Sequence, residues 1–233
     1  MVVQEMIEAG ILELERRKKD DRIAEKGTAD KENPYVTDAG KCPRAVGLSL
    51  LNIPGKPFTI DTLINFGMGH ATEEFLAEAL AAGTESRVER EVRIEIPTND
   101  TIVSGRADFI LWDQGLIVEL KNTSSMAMKF LEEGGRPEHR SQLNLYLHAT
   151  GLPEGRLIYM AKAAKGMITT KEYVVAYDKK LALSDITAIE AVAVHVKREG
   201  KAPGKPEGYK QSNYPCSYCQ YSVTCWSTAT EVE

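Results

Sequence analysis

Along the first third of the chain, hydrophobic residues recur at the three- and four-residue spacing of amphipathic helices. Residues 3–26 form one predicted helix with its apolar positions facing inward, and the polar residues 27–34 form a connector. A second helix is predicted over 37–51, where a Pro-Gly pair follows, and a third over 63–82. This part of the chain is therefore predicted to be helical.

The pattern changes to alternation after residue 87, which is typical of strands with one buried face. Alternating segments cover residues 87–96, 102–112 and 116–120, and a turn around residues 113–115 joins the last two. Consecutive strands with such short connections predict an antiparallel meander.

Helices and strands both occur in the remaining sequence. A helix is predicted over 137–150, strands over 157–161 and 173–177, and a helix over 179–197, before a loop rich in Pro, Gly and Lys over 201–210. This order of elements predicts a mixed α/β fold.

Composition narrows the class of protein. The chain has 233 residues, of which 42% are hydrophobic and 27% charged, which fits one large core with appendages. No run approaches the ~18 apolar residues that a membrane span needs, and the first residues lack the pattern of an export signal. We therefore expect a cytoplasmic protein that makes no contact with a membrane.

The distribution of charge leaves a polyanionic partner open. The net charge of −5 argues against a protein that coats nucleic acid nonspecifically. Residues 156–210 nevertheless contain eleven basic and six acidic residues, so this segment could present a basic surface. Ordinary solvated lysines explain the same excess equally well.

The four cysteines are unevenly placed. Cys216, Cys219 and Cys225 form a C-x2-C-x5-C cluster, and Cys42 lies far upstream in a Cys-Pro-Arg sequence. Two disulfides would suit a secreted chain, but clustered thiols in a reducing compartment are more often metal ligands. All four thiolates together would complete a tetrahedral set, and their spacing does not distinguish zinc from an iron–sulfur cluster.

Two acids and a lysine lie beside the turn of the predicted hairpin. Glu119 and Lys121 are two residues apart on a strand and so project from the same face. A tight turn at residues 113–114 places Asp108 opposite Glu119, with Cβ atoms about 5 Å apart. Carboxylates at that distance repel each other unless a cation such as Mg²⁺ or Mn²⁺ lies between them, and the ammonium of Lys121 could orient a water. The alternative is an exposed hairpin with solvated acids.

Two further helical features could contribute to this site. Gln142 and Tyr146 are four residues apart on the predicted helix 137–150, so they share a face that could meet a DNA strand or the active-site water. His70 follows two glycines and could be a further metal ligand. A polar outer helix face and an ordinary helical histidine are the corresponding structural alternatives.

Taken together, these motifs resemble the RecB-like branch of the PD-(D/E)XK nuclease superfamily. Within that branch they resemble the iron–sulfur exonucleases associated with CRISPR adaptation and their viral relatives. The resemblance spans residues 36–226, and six motifs occur in the order of the family. They are the Cys-Pro-Arg at Cys42, the Gly-x-x-His at His70, the Gly-x-x-Asp at Asp108, the Glu-x-Lys at Glu119, the Gln-x3-Tyr at Gln142 and the closing C-x2-C-x5-C.

The resemblance implies a restriction-endonuclease-like core, with a central mixed sheet flanked by helices, that hydrolyses phosphodiester bonds with Mn²⁺ or Mg²⁺. His70, Asp108, Glu119 and the Leu120 carbonyl would hold the metal, and Lys121 would help the attacking water. Gln142 and Tyr146 would complete the pocket. Relatives degrade single-stranded DNA from its ends, commonly 5′ to 3′, and some act as endonucleases.

The same resemblance assigns Cys42, Cys216, Cys219 and Cys225 to a [4Fe–4S] cluster. It divides the chain into an N-terminal helix and connector (1–35), an iron–sulfur region (36–62 and 200–233) and a nuclease core (63–199). It also implies a prokaryotic or virus-encoded protein of antiviral defence or recombination, with a CRISPR integrase complex or recombination proteins as partners, and homo-oligomers in some relatives. A catalytically silent adaptor that binds DNA ends and a zinc-stabilised globular protein are the alternative functions.

Overall fold

The structure, a computed structural model, describes residues 3–26, 31–162 and 166–227. Residues 27–30 of the predicted connector and residues 228–233 of the predicted iron–sulfur region lie outside the described residues. None of the described helices is both long and apolar enough to span a bilayer. The elements are α1 (Val3–Lys26), α2 (Pro43–Leu50), α3 (Ile60–Gly83), β1 (Val88–Pro97), β2 (Ile102–Leu111), β3 (Leu116–Asn122), α4 (Ser125–Lys129), α5 (Pro137–Thr150), β4 (Glu154–Lys162), β5 (Ile168–Ala176), α6 (Lys179–Glu199) and α7 (Ser222–Trp226).

The five strands form one mixed sheet in the order β1-β2-β3-β4-β5. β1, β2 and β3 are antiparallel neighbours, so the predicted meander is confirmed. β3 and β4 are parallel, and α4 and α5 lie in the connection between them, as a parallel pair requires a crossover. β5 returns antiparallel to β4. The mixed α/β prediction is confirmed.

The helix α5 lies at the centre of the larger hydrophobic core. Seven consecutive residues, 141–147, are buried, because α5 packs between the sheet and α6. A second, smaller core on Phe109, Val118 and Leu120 is covered by Ala77 and its neighbours on α3. Helices therefore flank the sheet. The larger core cluster joins α5 to β2 and β3, and the smaller cluster joins α3 to the same two strands.

The structure corrects the predicted start of the second helix. Residues 36–38 form a separate 3-10 turn, and α2 begins only at Pro43, with Cys42 as its N-cap. Proline favours the first helical turn because its missing N–H has no helical partner there. Gly40 has a left-handed backbone conformation, with φ +69, and a Cβ added at this position would lie 3.2 Å from the Glu138 Cα. The backbone is therefore not helical between the 3-10 turn and Cys42.

The first helix also differs from its predicted amphipathic role. Met6, Ile7 and Leu14 are exposed rather than packed inward. α1 is instead supported along its length by ion pairs one turn apart, such as those of Arg16 and Arg17 with Glu13. Its packing partner among the described elements is α3.

Candidate active site

The register of β2 and β3 sets the geometry of the candidate site. Phe109 pairs with Val118, and the pairing continues as far as Leu111 with Leu116. The turn between the strands is longer than predicted, because it consists of a 3-10 turn over Trp112–Gln114 and of Gly115 at φ +62. The same register, extended by one pair, brings Asp108 beside Glu119. Asp108 Oδ2 accepts a hydrogen bond of 2.7 Å from the Leu120 N–H. The predicted register is therefore confirmed.

Glu119 is a buried carboxylate with one oxygen left over. Its residue is 1% exposed, and its Oε1 accepts hydrogen bonds from Lys121 Nζ at 2.5 Å and Gln142 Nε2 at 2.7 Å. Its Oε2 is buried and has no hydrogen-bond partner among the residues that the structure describes. A buried polar atom without a partner is costly, so this oxygen fits a ligand position for a cation.

The electrostatics of the two acids support the same conclusion. Burial, and then the charge of Glu119, raises the pKa of Asp108 to about 8. Burial also raises the pKa of Glu119, although the neighbouring Lys121 opposes this shift. Two carboxyls that resist ionisation together are typical of a site that a divalent cation completes. The donor set therefore fits Mg²⁺ or Mn²⁺.

Lys121 is held as a cation beside the two acids. Burial by itself would lower the pKa of its ammonium, but the charges of Glu119 and Asp108 outweigh burial and raise it. The side chain is 21% exposed, so it can meet both the buried carboxylate and a ligand approaching from solvent.

Gln142 and Tyr146 reach the site from α5, but the structure corrects how they can act. Both are buried, so they are not positioned to contact a DNA strand. Gln142 Nε2 lies 2.7 Å from Glu119 Oε1 and 3.2 Å from the Tyr146 hydroxyl, which donates to the Arg106 carbonyl at 2.8 Å. The two side chains therefore orient Glu119 and connect it to α5 and β2.

His70 lies on α3 with a side chain that is 63% exposed, and its Nδ1 is 3.5 Å from Glu73 Oε2. In the described parts of the chain, no three His, Cys, Asp or Glu side chains form a group that could hold a metal. The predicted ligand set of His70, Asp108, Glu119 and Leu120 is therefore not assembled as a coordination sphere. Leu120 contributes its backbone N–H to Asp108, and its side chain packs in the smaller core.

Glu73 is a site residue that the sequence analysis missed. Its negative charge raises the pKa of both Asp108 and Glu119, so it lies near the pair. It occurs one helical turn after His70 on the same face of α3, which is the signal that could have identified it.

The segments that carry the cysteines lie close to the elements that carry the site. Lys41 is adjacent to Cys42, and its charge interacts with that of Lys121. Tyr214, near the cysteine cluster, donates to Glu138 on α5 at 3.0 Å.

The structure brings the chain segments of the four cysteines together. All four are free thiols, and burial raises the pKa of Cys219, with the charges of Cys42, Cys216 and Cys225 adding to the effect. The thiols are thus near one another, although they do not form an assembled ligand group. Two contacts between the segments are the hydrogen bond from Arg44 Nη1 to the Pro203 carbonyl and that from the Lys56 N–H to the Gln220 carbonyl, each 2.8 Å long.

Similarity to the solved structure of SSO0001 agrees with this architecture at the level of the fold, and two exonuclease structures are more distantly similar. The solved structure of SSO0001 is similar over 99% of this chain and 98% of that chain, with 22% identity and a TM-score of 0.56. The alkaline exonuclease LHK-Exo from Laribacter hongkongensis has 17% identity, covers 55% of this chain and 67% of its own, and has a TM-score of 0.43. A putative exonuclease from Eubacterium rectale has 11% identity, covers 80% and 88%, and has a TM-score of 0.46.

Among the curated proteins, none matches this chain. The family model of the PD-(D/E)XK nuclease superfamily matches residues 63–226, which include the candidate carboxylates and the C-terminal cysteines. The finer resemblance to CRISPR-associated iron–sulfur exonucleases is not shown by these comparisons. With most of its length matched and the acid pair in place, the chain belongs to the PD-(D/E)XK nuclease superfamily.

Proposed function

We propose that the protein is a divalent-metal-dependent deoxyribonuclease that hydrolyses phosphodiester bonds. Its proposed active site consists of Asp108, Glu119 and Lys121. The observation that carries this proposal is the unpartnered Oε2 of Glu119, buried beside Asp108 in a member of a nuclease superfamily. Members of that superfamily use metals such as Mg²⁺ or Mn²⁺. An incidental surface hairpin would not bury a carboxylate with a free oxygen.

Each side chain at the site has a separate role in the proposed reaction. A bound cation would lower the pKa of a water and neutralise charge on the phosphate. Asp108 and Glu119 would hold the cation, with His70 and the Leu120 carbonyl as proposed further ligands. Gln142 fixes the orientation of Glu119, and the partly exposed side chain of Lys121 would stabilise negative charge on a phosphoryl oxygen.

The proposed substrate is the end of a single DNA strand, degraded 5′ to 3′, with endonuclease activity as a secondary capacity. This choice, and the proposed role in CRISPR adaptation or recombination in a prokaryotic or viral setting, rests on the order of the six sequence motifs. The corresponding partners would be an integrase complex or recombination proteins, and a second copy of this chain in a homo-oligomer.

The test of the nuclease proposal uses end-labelled single-stranded DNA with Mn²⁺. We expect the wild-type protein to shorten the strand and Asp108→Asn and Lys121→Ala to lose at least about 100-fold in rate. Glu95→Gln is the matched control, because it changes an exposed carboxylate on β1. Wild-type rates in both site variants would refute the proposal, and strand binding without cleavage by the wild type would indicate the adaptor function instead.

For the cysteines, we propose a [4Fe–4S] cluster held by Cys42, Cys216, Cys219 and Cys225. The proposal is supported by four soft thiol donors whose charges influence one another and by the contacts that join their segments. The surrounding residues 36–62 and 200–233 would then form one structural region outside the nuclease core of 63–199.

Iron and zinc are distinguished by purifying the protein without oxygen. A cluster predicts a brown protein that contains iron and sulfide and loses its visible absorbance in Cys219→Ser but not in the neighbouring control Ser217→Ala. A colourless protein that retains zinc would replace the cluster with the zinc alternative, and a protein that binds neither metal would refute a metal site at the cysteines.

A further inference from the structure

The helix α3 presents one stripe of residues toward the sheet. Successive members are three or four residues apart, so they fall within an arc of about 100°. The two ends of the stripe, Leu63 and Ala77, are buried, but its middle is open to solvent. In order, the stripe contains Leu63, Phe66, His70, Glu73 and Ala77.

The open middle of the stripe is continuous with the candidate active site. The charge of Glu73 raises the pKa of both Asp108 and Glu119. A Cβ added at Gly69 would lie 3.7 Å from the side-chain amide nitrogen of Asn122, at the end of β3. Phe66 is seven residues before Glu73, which is about 10 Å along the helix axis. The exposed part of the stripe therefore extends from Phe66 to Glu73, which lies near the carboxylates.

An aromatic pair lies at the Phe66 end of this exposed stretch of α3. The rings of Phe58 and Phe66 meet edge to face, with centroids 5.2 Å apart and an interplanar angle of 82°. The two residues nevertheless remain 50% and 45% exposed. The edge-to-face contact holds one ring against the other, and about half of each residue's surface remains uncovered by the described parts of the chain.

We propose that Phe58 and Phe66 form a platform on which bases of the DNA strand stack while its backbone passes the carboxylates. This inference rests on the proposed function. Every base presents a π-face, so stacking on exposed aromatic side chains suits a single strand of any sequence. Paired bases in a duplex are already stacked and would not need such a platform.

The spacing predicts which bases stack. A stacked strand advances about 3.4 Å per nucleotide, so the ~10 Å between Glu73 and Phe66 correspond to about three nucleotides. The bases on the platform should therefore lie about three nucleotides from the phosphate that is cleaved.

The test measures stacking directly and without cleavage. Single strands that carry the fluorescent base 2-aminopurine at successive positions are bound to the full chain in Ca²⁺, and fluorescence and affinity are recorded. We expect quenching about three nucleotides from the bound end in the wild type. Phe66→Leu should lose the quenching and weaken binding by about 5- to 100-fold, while Phe66→Trp should retain both.

Phe75→Leu is the matched control, because Phe75 is 66% exposed on the opposite face of α3. It should quench and bind as the wild type does. A strand that lacks bases over the predicted positions should bind Phe66→Leu and wild type equally. Unchanged quenching and affinity in a folded Phe66→Leu protein would overturn the platform.

The failure of this inference is distinguishable from failure of the nuclease proposal. Cleavage in Mn²⁺ by a protein whose binding is insensitive to Phe66→Leu would refute the platform alone. Base stacking that depends on Phe66, in a wild-type protein that never cleaves, would support the platform and refute the nuclease.

Discussion

Gln142 is a buried amide whose proposed role in the reaction is exerted through Glu119. Its Nε2 lies 2.7 Å from Glu119 Oε1, and the residue is 6% exposed. Residues that orient a metal-binding carboxylate in this way commonly contribute 10- to 100-fold to metal affinity or activity.

We therefore expect Gln142→Leu to weaken Mn²⁺ binding and lower kcat by about 10- to 100-fold, with KM for DNA nearly unchanged. Calorimetric metal titration and single-turnover kinetics measure the two effects. A variant that raises KM without altering metal affinity would instead indicate that Gln142 contacts the strand.

His139 is a partly buried neutral imidazole near Lys121. Its Nδ1 lies 2.8 Å from the Tyr159 hydroxyl. Burial, and then the positive charges of Lys121, Arg136 and Lys41, lowers its pKa from 6.5 to about 4, while Glu138 acts in the opposite direction.

Because the folded pKa is below the unfolded one, the unfolded state gains this proton first as the pH falls. The contribution of His139 to stability is therefore present above pH 6.5 and is lost as the pH falls through 4. We expect urea unfolding to show a smaller loss of stability between pH 7 and pH 4.5 in His139→Gln than in the wild type. Equal losses in both proteins would contradict a depressed pKa at this position.

At the scale of elements, α5 is the helix on which both the core and the site depend. It is attached to the start of α6 by Asn144, whose side chain donates to the Asp178 carbonyl at 2.9 Å and accepts from the Asp178 N–H at 2.8 Å. Asp178 in turn caps α6 by accepting from two backbone N–H groups. One buried amide thus fixes two helices relative to each other.

Asn144→Ala should cost roughly 2–4 kcal/mol of unfolding free energy, because it removes two hydrogen bonds to partly buried backbone groups of Asp178. Chemical denaturation measures the change, and Asn99→Ala in an exposed turn is the control that should alter stability little. A loss of less than about 1 kcal/mol would show that water replaces the amide.

The sequence predicted regular elements better than their junctions. The periodicity of α5 and the alternation of β1 to β3 are local properties, so those elements and the register of Asp108 with Glu119 could be predicted. The short helices α4 and α7 were missed because five residues are too few for a periodic signal. The approach of Glu73 and the burial of Gln142 depend on packing between distant segments, which no local pattern encodes.

At the scale of the whole molecule, the segments on either side of the nuclease core are joined to each other. A Cβ on Gly47 would lie 2.6 Å from the Pro203 Cδ, and the Lys56 N–H donates to the Gln220 carbonyl at 2.8 Å. These two contacts therefore join chain segments that precede and follow the sheet and α5. A metal bound by the four thiolates would restrict the unfolded chain over that whole length.

If the proposed metal is bound by the four thiolates, its removal should destabilise the whole protein and not only the C-terminal segment. A loss of about 2 kcal/mol would lower Tm by roughly 4–8 °C in a chain of this size, and we expect at least this change in Cys219→Ser or after chelation. Circular dichroism measures Tm, and limited proteolysis should become faster within residues 201–213 if the contacts to α2 open. Ser217→Ala should leave both measurements unchanged. If Cys219→Ser kept the wild-type Tm, the thiols would contribute no metal-dependent closure, and the hydrogen bonds of Arg44 and Lys56 alone would hold the two segments together.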